Sequence, residues 1–225
     1  KILQQMPGYR RIVGPRRHGP ITEVPRGAVQ NRTLFGTVRD PWSWYLSVYQ
    51  MANGGKDGEA LWAQYGNGDP SFRAALYGMT HPLDVKDLPT RFGGVYTVPP
   101  AEHEATVHNF MGSGLGLCSW TFRYVYGRPA RPSVFIDTAQ LTQGMADLLT
   151  RPVEEISHIP KENCATHRPA SAFENPASLY DDEMKKWVEE ADAPLIETFG
   201  FTGPYEPARE AVLDAERLIF PPSLR

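Results

Sequence analysis

The chain has 225 residues, 41% of them hydrophobic, with 21 prolines, 20 glycines and a formal net charge of −3. This length suffices for a full hydrophobic core, and we expect a single α/β domain over residues 1–225. The sequence contains no run of eighteen apolar residues, so we predict no transmembrane helix within it.

Positive charge is concentrated at the start of the chain. Residues 1–39 contain eight Lys or Arg and one acidic residue, so the remainder is acidic. A basic segment attracts an anionic ligand, whereas the acidic remainder offers no second basic face and argues against a nucleic-acid partner. Cys118 and Cys164 lie far apart without CxxC spacing, which favours free thiols in a reducing, cytoplasmic compartment.

Residues 33–47 predict a buried strand, a tight turn and the opening of a helix. Asp40 is a favourable N-cap, and Pro41 is favoured at the first helical position. Arg39 ends the strand, and Ser47 lies eight residues further on. Ligands of open α/β sheets collect outside the carboxyl ends of the strands, so Arg39 and Ser47 are candidates for holding a phosphate ester. A surface salt bridge of Arg39 beside an ordinary capped helix is the alternative.

The middle of the chain, residues 59–130, alternates short helical pieces with turns and is rich in aromatic side chains. Such side chains are typical of small-molecule sites, and they also suit a hydrophobic core. The string from His103 to His108 has one residue too many for a HExxH zinc motif, and we expect no metal site. Residues 132–137 then predict a strand, and residues 140–149 a helix.

Near the C-terminus, residues 179–199 predict one amphipathic helix. Acidic residues stand at its positive end, and Gly200 is a suitable stop. Its apolar stripe consists of Met184, Trp187, Val188, Ala191, Leu195 and Phe199. A second terminal helix is predicted to begin at Pro207 and to stop at Pro221 and Pro222.

Three of these segments together resemble the PAPS-dependent sulfotransferase family. His18-Gly19-Pro20 followed by Pro25 resembles the His-x-Pro-x-x-x-x-Pro segment of the cytosolic members. Arg39 and Ser47 match the spacing of an arginine at a strand end and a serine eight residues later. Residues 179–201 resemble the closing helix of bacterial and membrane-type members.

The resemblance implies a three-layer, P-loop NTPase-like α/β fold with a central, mostly parallel sheet flanked by helices. It also implies transfer of a sulfuryl group from PAPS to a hydroxyl or amine of a small-molecule, carbohydrate or lipid acceptor, without a metal. His18 would be the general base, and Arg39 and Ser47 would hold the 3′-phosphate of PAPS and of its product PAP. Residues 59–130 would contribute to the acceptor site.

Two features of the family have no counterpart in the printed sequence. No Gly/Thr/Ser/Lys-rich phosphosulfate loop precedes His18, and residues 1–8 look like the tail of the helix that follows such a loop. We therefore expect the loop and the catalytic lysine to lie upstream of Lys1. The C-terminal Arg-Lys-Gly-x-x-Gly loop also has no equivalent, and Arg168 is a candidate substitute.

Two other functions are compatible with the same pattern. A P-loop kinase-like phosphotransferase would share the sheet and the anion site, but it would need carboxylates for Mg²⁺. Asp40 and Asp137 are the carboxylates best placed for that role. A non-catalytic sulfotransferase-like domain would bind a partner instead.

Overall fold

The computed structural model describes residues 33–53, 58–86, 91–92, 96–97, 100–127, 132–157 and 176–224. Within these ranges the chain forms nine α-helices, a three-stranded sheet and a two-stranded sheet. The predicted α/β class is confirmed. No helix of the described ranges is long and apolar enough to cross a membrane.

The first half of the chain is mainly helical after its opening strand. Its elements are β1 (Phe35–Val38), α1 (Pro41–Asn53), α2 (Gly58–Tyr65), α3 (Phe72–Thr80), β2 (Arg91–Phe92), β3 (Tyr96–Thr97), α4 (Pro100–Met111) and α5 (Leu117–Tyr126). A short 3-10 helix, Pro82–Asp84, follows α3, and β2 pairs with β3 in an antiparallel hairpin.

The second half adds the other two strands of the main sheet. Its elements are β4 (Val134–Asp137), α6 (Leu141–Leu149), α7 (Val153–Ser157), α8 (Asp182–Ala191), α9 (Ala193–Phe199) and β5 (Val212–Asp214). Short 3-10 helices occupy Thr138–Gln140, Pro176–Leu179 and Pro222–Leu224. The strand predicted over residues 132–137 and the helix predicted over residues 140–149 are confirmed.

The main sheet has the strand order β1-β4-β5. β1 is parallel to β4, with Phe35 opposite Val134 and Val38 opposite Asp137, whereas β5 runs antiparallel to β4. The sheet is therefore mixed over the described residues, where we expected mostly parallel strands. β1 and β4 are parallel and end at paired residues, Val38 and Asp137. The residues that follow the two strands therefore lie at the same edge of the sheet.

Tyr126, the last residue of α5, packs against β1 at a glycine. A Cβ atom on Gly36 would lie 3.0 Å from side-chain atoms of Phe135, Pro132 and Tyr126. The Tyr126 hydroxyl accepts a hydrogen bond from the Thr37 N–H at 3.3 Å and lies 3.4 Å from the Thr37 carbonyl. The glycine thus allows a tyrosine to reach the backbone of the strand that leads to Arg39.

Many aromatic residues of the region 59–130 belong to the hydrophobic core. Trp62, Tyr65, Trp120 and Phe122 are buried. Trp62 also donates its indole N–H to the Tyr49 carbonyl at 3.1 Å. These four side chains stabilise the packing of the helices, so an acceptor site in this region would have to use other residues.

The predicted closing helix is two helices, α8 and α9, and the prediction of one continuous helix is wrong. Pro194 lies in the first turn of α9, and a proline inside a helix lacks the N–H and crowds the preceding turn. The chain therefore restarts at Asp192, whose carbonyl accepts the Leu195 N–H at 2.9 Å and the Ile196 N–H at 3.0 Å. Gly200, with φ of +70°, ends α9 as predicted.

The helix predicted from Pro207 is also wrong. The segment instead forms β5, which pairs with β4 so that Leu213 lies opposite Phe135. Leu213 and Phe135 are both buried. Backbone hydrogen bonds at the sheet edge and burial of Leu213 outweigh a local pattern that favours a helix.

The side chain of Asp192 caps the N-terminus of a different helix, α5. Its Oδ1 accepts the Ser119 N–H at 2.7 Å, and its Oδ2 accepts the Tyr45 hydroxyl at 2.7 Å. Gly116 occupies the N-cap of α5 and has no side chain; a Cβ there would lie 2.7 Å from both Asp192 Oδ2 and the Tyr45 hydroxyl oxygen. Asp192 therefore supplies from α8 and α9 the cap that α5 lacks.

Burial also governs the protonation of this carboxyl. Asp192 is fully buried, and desolvation raises its pKa to about 6, although hydrogen bonds from Tyr45 and Ser119 act in the opposite direction. Folding therefore favours the protonated carboxyl of Asp192 over its ionised form.

We predict that this carboxyl makes the free energy of unfolding depend on pH. Because folding raises the pKa of Asp192 from 3.8 to about 6, its contribution is most favourable below pH 4. It is lost as pH rises through 6, a decrease of about 3 kcal/mol. Urea unfolding of the wild type and Asp192→Asn at several pH values between 4 and 7 measures this dependence.

The difference between the two unfolding free energies should change over that pH range and be constant above it. Parallel pH profiles for the two proteins would contradict the assignment.

Candidate functional site

Arg39 lies immediately after β1 and directly before the N-cap of α1. Its Nε donates to Ser43 Oγ at 2.8 Å, which fixes the orientation of the guanidinium plane. The side chain is half-buried, and neither Nη atom has a hydrogen bond or an ion pair with any residue that the structure describes. The site thus holds an oriented cation whose two outer nitrogens are available to an anion.

Asp40 holds Ser43 from the other side. Asp40 Oδ1 accepts the Ser43 N–H at 2.8 Å, which confirms the predicted N-cap, and Pro41 begins the helix as predicted. The Ser43 hydroxyl donates to Asp40 Oδ2 while its oxygen accepts from Arg39 Nε. A continuous chain of hydrogen bonds therefore runs from the buried carboxylate through the serine to the guanidinium.

The local electrostatics of Asp40 reflect two opposing causes. Burial raises the pKa of the carboxyl above its ordinary value, while hydrogen bonds from Ser43 and Tyr205 and the charge of Arg39 lower it. Asp40 also occupies the N-terminus of α1 with its own carboxylate. Positive charge for a bound anion must therefore come from the guanidinium rather than from the helix end.

Of the site residues predicted from the sequence, the structure describes Arg39 and Ser47 but not His18 or Arg168. Ser47 lies one turn beyond Ser43 on α1 and is half-buried, and its hydroxyl makes no hydrogen bond with Arg39 or with any other described residue. Arg39 is instead paired with Ser43. His18 and Arg168 lie outside the described residues, so their predicted roles stay predictions.

A segment near the C-terminus crosses the carboxyl edge of β1 and β4; we call residues 203–208 the strap. At one end of the strap, the Tyr205 N–H donates to Asp40 Oδ1 at 3.4 Å. At the other end, the Ala208 N–H donates to Asp137 Oδ2 at 2.8 Å. Gln140 Nε2 also donates to the Ala208 carbonyl at 3.1 Å. The strap is therefore attached to both strands at the edge where ligands of this fold class bind.

Asp40 and Asp137 are engaged by the protein itself. Asp137 Oδ1 accepts the Ala139 N–H at 3.0 Å, and its Oδ2 is held by the strap. Asp40 is likewise bonded through both oxygens. Among the residues that the structure describes, no three His, Cys, Asp or Glu side chains group in a way that could hold a metal ion. Both carboxylates thus act as backbone caps.

Comparisons with protein-family models, with curated proteins and with solved structures found no match to this chain. The resemblance to sulfotransferases therefore depends on the residues named above.

Two residues of this site escaped the sequence-based prediction. Ser43 stands three residues after the N-cap, one of the two positions whose N–H an N-cap side chain commonly engages, and this spacing could have indicated its contact with Asp40. Tyr205 belongs to a segment for which we predicted no site. No local pattern in the sequence indicates that this segment reaches Asp40, which is distant in the chain.

We predict that Ser43→Ala lowers the free energy of unfolding by about 1–3 kcal/mol, because it leaves a buried Asp40 oxygen without its hydroxyl donor. The matched control is Ser47→Ala, which removes a hydroxyl without a described partner and should change stability by less than about 0.5 kcal/mol. Urea denaturation of both variants measures the difference. Equal effects of the two substitutions would contradict the proposed bond.

Proposed function

We propose that this protein is a PAPS-dependent sulfotransferase that transfers a sulfuryl group to a hydroxyl or amine of a small-molecule, carbohydrate or lipid acceptor in the cytoplasm. The observation that carries the proposal is the guanidinium of Arg39, held by Ser43 at the carboxyl end of β1 with both Nη atoms available. Arg39 and Ser47 hold the 3′-phosphate, and His18 is the general base. The fold belongs to the three-layer, P-loop NTPase-like class.

The chemistry of arginine supports a phosphate monoester as the anion. A guanidinium offers parallel N–H groups that match two oxygens of one phosphate, and it stays charged at every relevant pH. Since Nε is occupied by Ser43, the two Nη atoms are the pair that would bind the phosphate.

The second serine supports the same ligand. One turn of helix advances about 5.4 Å, so Ser47 lies on the same face of α1 as Ser43, the serine that holds Arg39. The Ser47 hydroxyl follows Ser43 by one turn on α1 and has no partner among the described residues. It is therefore available as a further donor to the anion on Arg39.

The transfer itself is an in-line displacement at sulfur. A bond forms between the acceptor oxygen or nitrogen and sulfur while the bond from sulfur to the phosphate oxygen of PAPS breaks, and PAP leaves. His18, as a neutral imidazole, takes the proton that the acceptor loses. No redox change and no metal are needed for this balance.

The kinase-like alternative is less well supported. Asp40 and Asp137 are the carboxylates that would hold Mg²⁺, and both are buried. Asp40 accepts backbone N–H groups through Oδ1, and Asp137 accepts them through both of its oxygens. Releasing them for a metal would leave those N–H groups without partners.

The other alternative is a non-catalytic domain. It differs from the enzyme by binding PAP without turning over PAPS.

We predict that the wild type binds PAP more tightly than 5′-AMP or ATP, neither of which carries a 3′-phosphate. Arg39→Ala should weaken PAP binding by about 1.5–3 kcal/mol, the usual cost of losing a hydrogen bond to a charged group. Isothermal titration calorimetry with the three nucleotides measures both effects.

The control for this substitution is Arg151→Ala, which removes an exposed arginine that pairs with Glu155 on the surface. This variant should bind PAP as the wild type does. Normal PAP affinity in Arg39→Ala would overturn the site, and a preference for ATP would favour the kinase-like alternative.

We further predict that His18→Ala slows the release of sulfate from PAPS by about 10²-fold or more, because general-base catalysis typically contributes at least that factor. PAP affinity should be unchanged, since His18 is assigned to the acceptor. The measurement follows sulfate release from PAPS with water as the acceptor. Unchanged turnover would remove His18 from the mechanism.

A further inference from the structure

We propose that Tyr205 is an additional anion-contacting residue, whose phenol hydroxyl donates a hydrogen bond to the phosphate bound on Arg39. This inference rests on the proposed function, because it assigns a third side chain to the same phosphate. Tyr205 would join Arg39 and Ser47 at the phosphate, although it is distant from both in the sequence.

The position of Tyr205 is fixed by the same carboxylate that organises Arg39. Asp40 Oδ1 accepts the N–H of Tyr205 at 3.4 Å and the N–H of Ser43 at 2.8 Å. Asp40 Oδ2 accepts the Ser43 hydroxyl, which in turn binds Arg39 Nε. The backbone of Tyr205 and the guanidinium of Arg39 are thus both held on one buried group.

The backbone conformation at Tyr205 is unusual for its side chain. Its φ is +66°, in the left-handed region that bulky residues rarely adopt. Such strain, which costs roughly 1–3 kcal/mol, clusters at binding sites, where the surrounding structure holds it in place. The strap supplies that restraint, since it is attached at Asp40 and, through Ala208, at Asp137.

The phenol is available and chemically suited as a donor. Tyr205 is 37% exposed, and its hydroxyl has no hydrogen bond with any residue that the structure describes. Desolvation raises the pKa of Tyr205 to about 12, while the charge of Arg39 lowers it and that of Asp40 raises it. The phenol therefore lies within the electrostatic influence of the guanidinium and keeps its proton at physiological pH.

A comparison of Tyr205→Phe with the wild type tests the proposal, with PAP and 5′-AMP as calorimetric ligands. The substitution keeps the ring and removes only the hydroxyl, so the fold should be preserved, and thermal unfolding checks this. We expect the Kd for PAP to rise about tenfold or more. The Kd for 5′-AMP should stay unchanged, because 5′-AMP lacks the phosphate that the hydroxyl contacts.

The matched control is Tyr77→Phe, which removes a hydroxyl that donates to Asp84 at 2.7 Å, and it should leave both affinities unchanged. If Tyr205→Phe binds PAP as tightly as the wild type, or loses PAP and 5′-AMP equally, the role of the hydroxyl is overturned while the proposed function stands. If the wild type itself does not prefer PAP to 5′-AMP, the proposed function fails and the inference fails with it.

Discussion

The buried carboxylate of Asp40 is the constraint on which the candidate site depends. It ends the turn after β1, caps α1 through the Ser43 N–H, and accepts the strap through the Tyr205 N–H. Its second oxygen holds the Ser43 hydroxyl and, through it, Arg39. Strand, helix and strap thus meet on two oxygen atoms, and the direction of the guanidinium follows from that junction.

Two other buried aspartates join the fold in the same manner. Asp137 ends β4 and binds Ala208 of the strap, and Asp192 separates α8 from α9 and caps α5 through Ser119. Each carboxylate satisfies a backbone N–H of a segment distant in the chain. The small sheet has little surface on which to anchor its surroundings, and these charged caps tie the helices and the strap together.

The sequence predicted the local parts of this arrangement and missed the distant ones. The strand before Arg39, the Asp40 cap and the start of α1 follow from residues within one turn of each other, where backbone preferences act directly. The break at Asp192 was missed because the apolar stripe continues across it, and the stripe outweighed Pro194. The strap was missed because its contacts with Asp40 and Asp137 depend on tertiary packing, which no short pattern encodes.

The bond from Arg39 to Ser43 also has an entropic consequence. A free arginine side chain carries about 2 kcal/mol of rotamer entropy, which a ligand must overcome when it orders the chain. Here the Nε atom is already held at 2.8 Å from Ser43 Oγ, so much of that ordering happens when the protein folds. The guanidinium is preorganised, and an incoming phosphate meets a cation already close to the geometry of the complex.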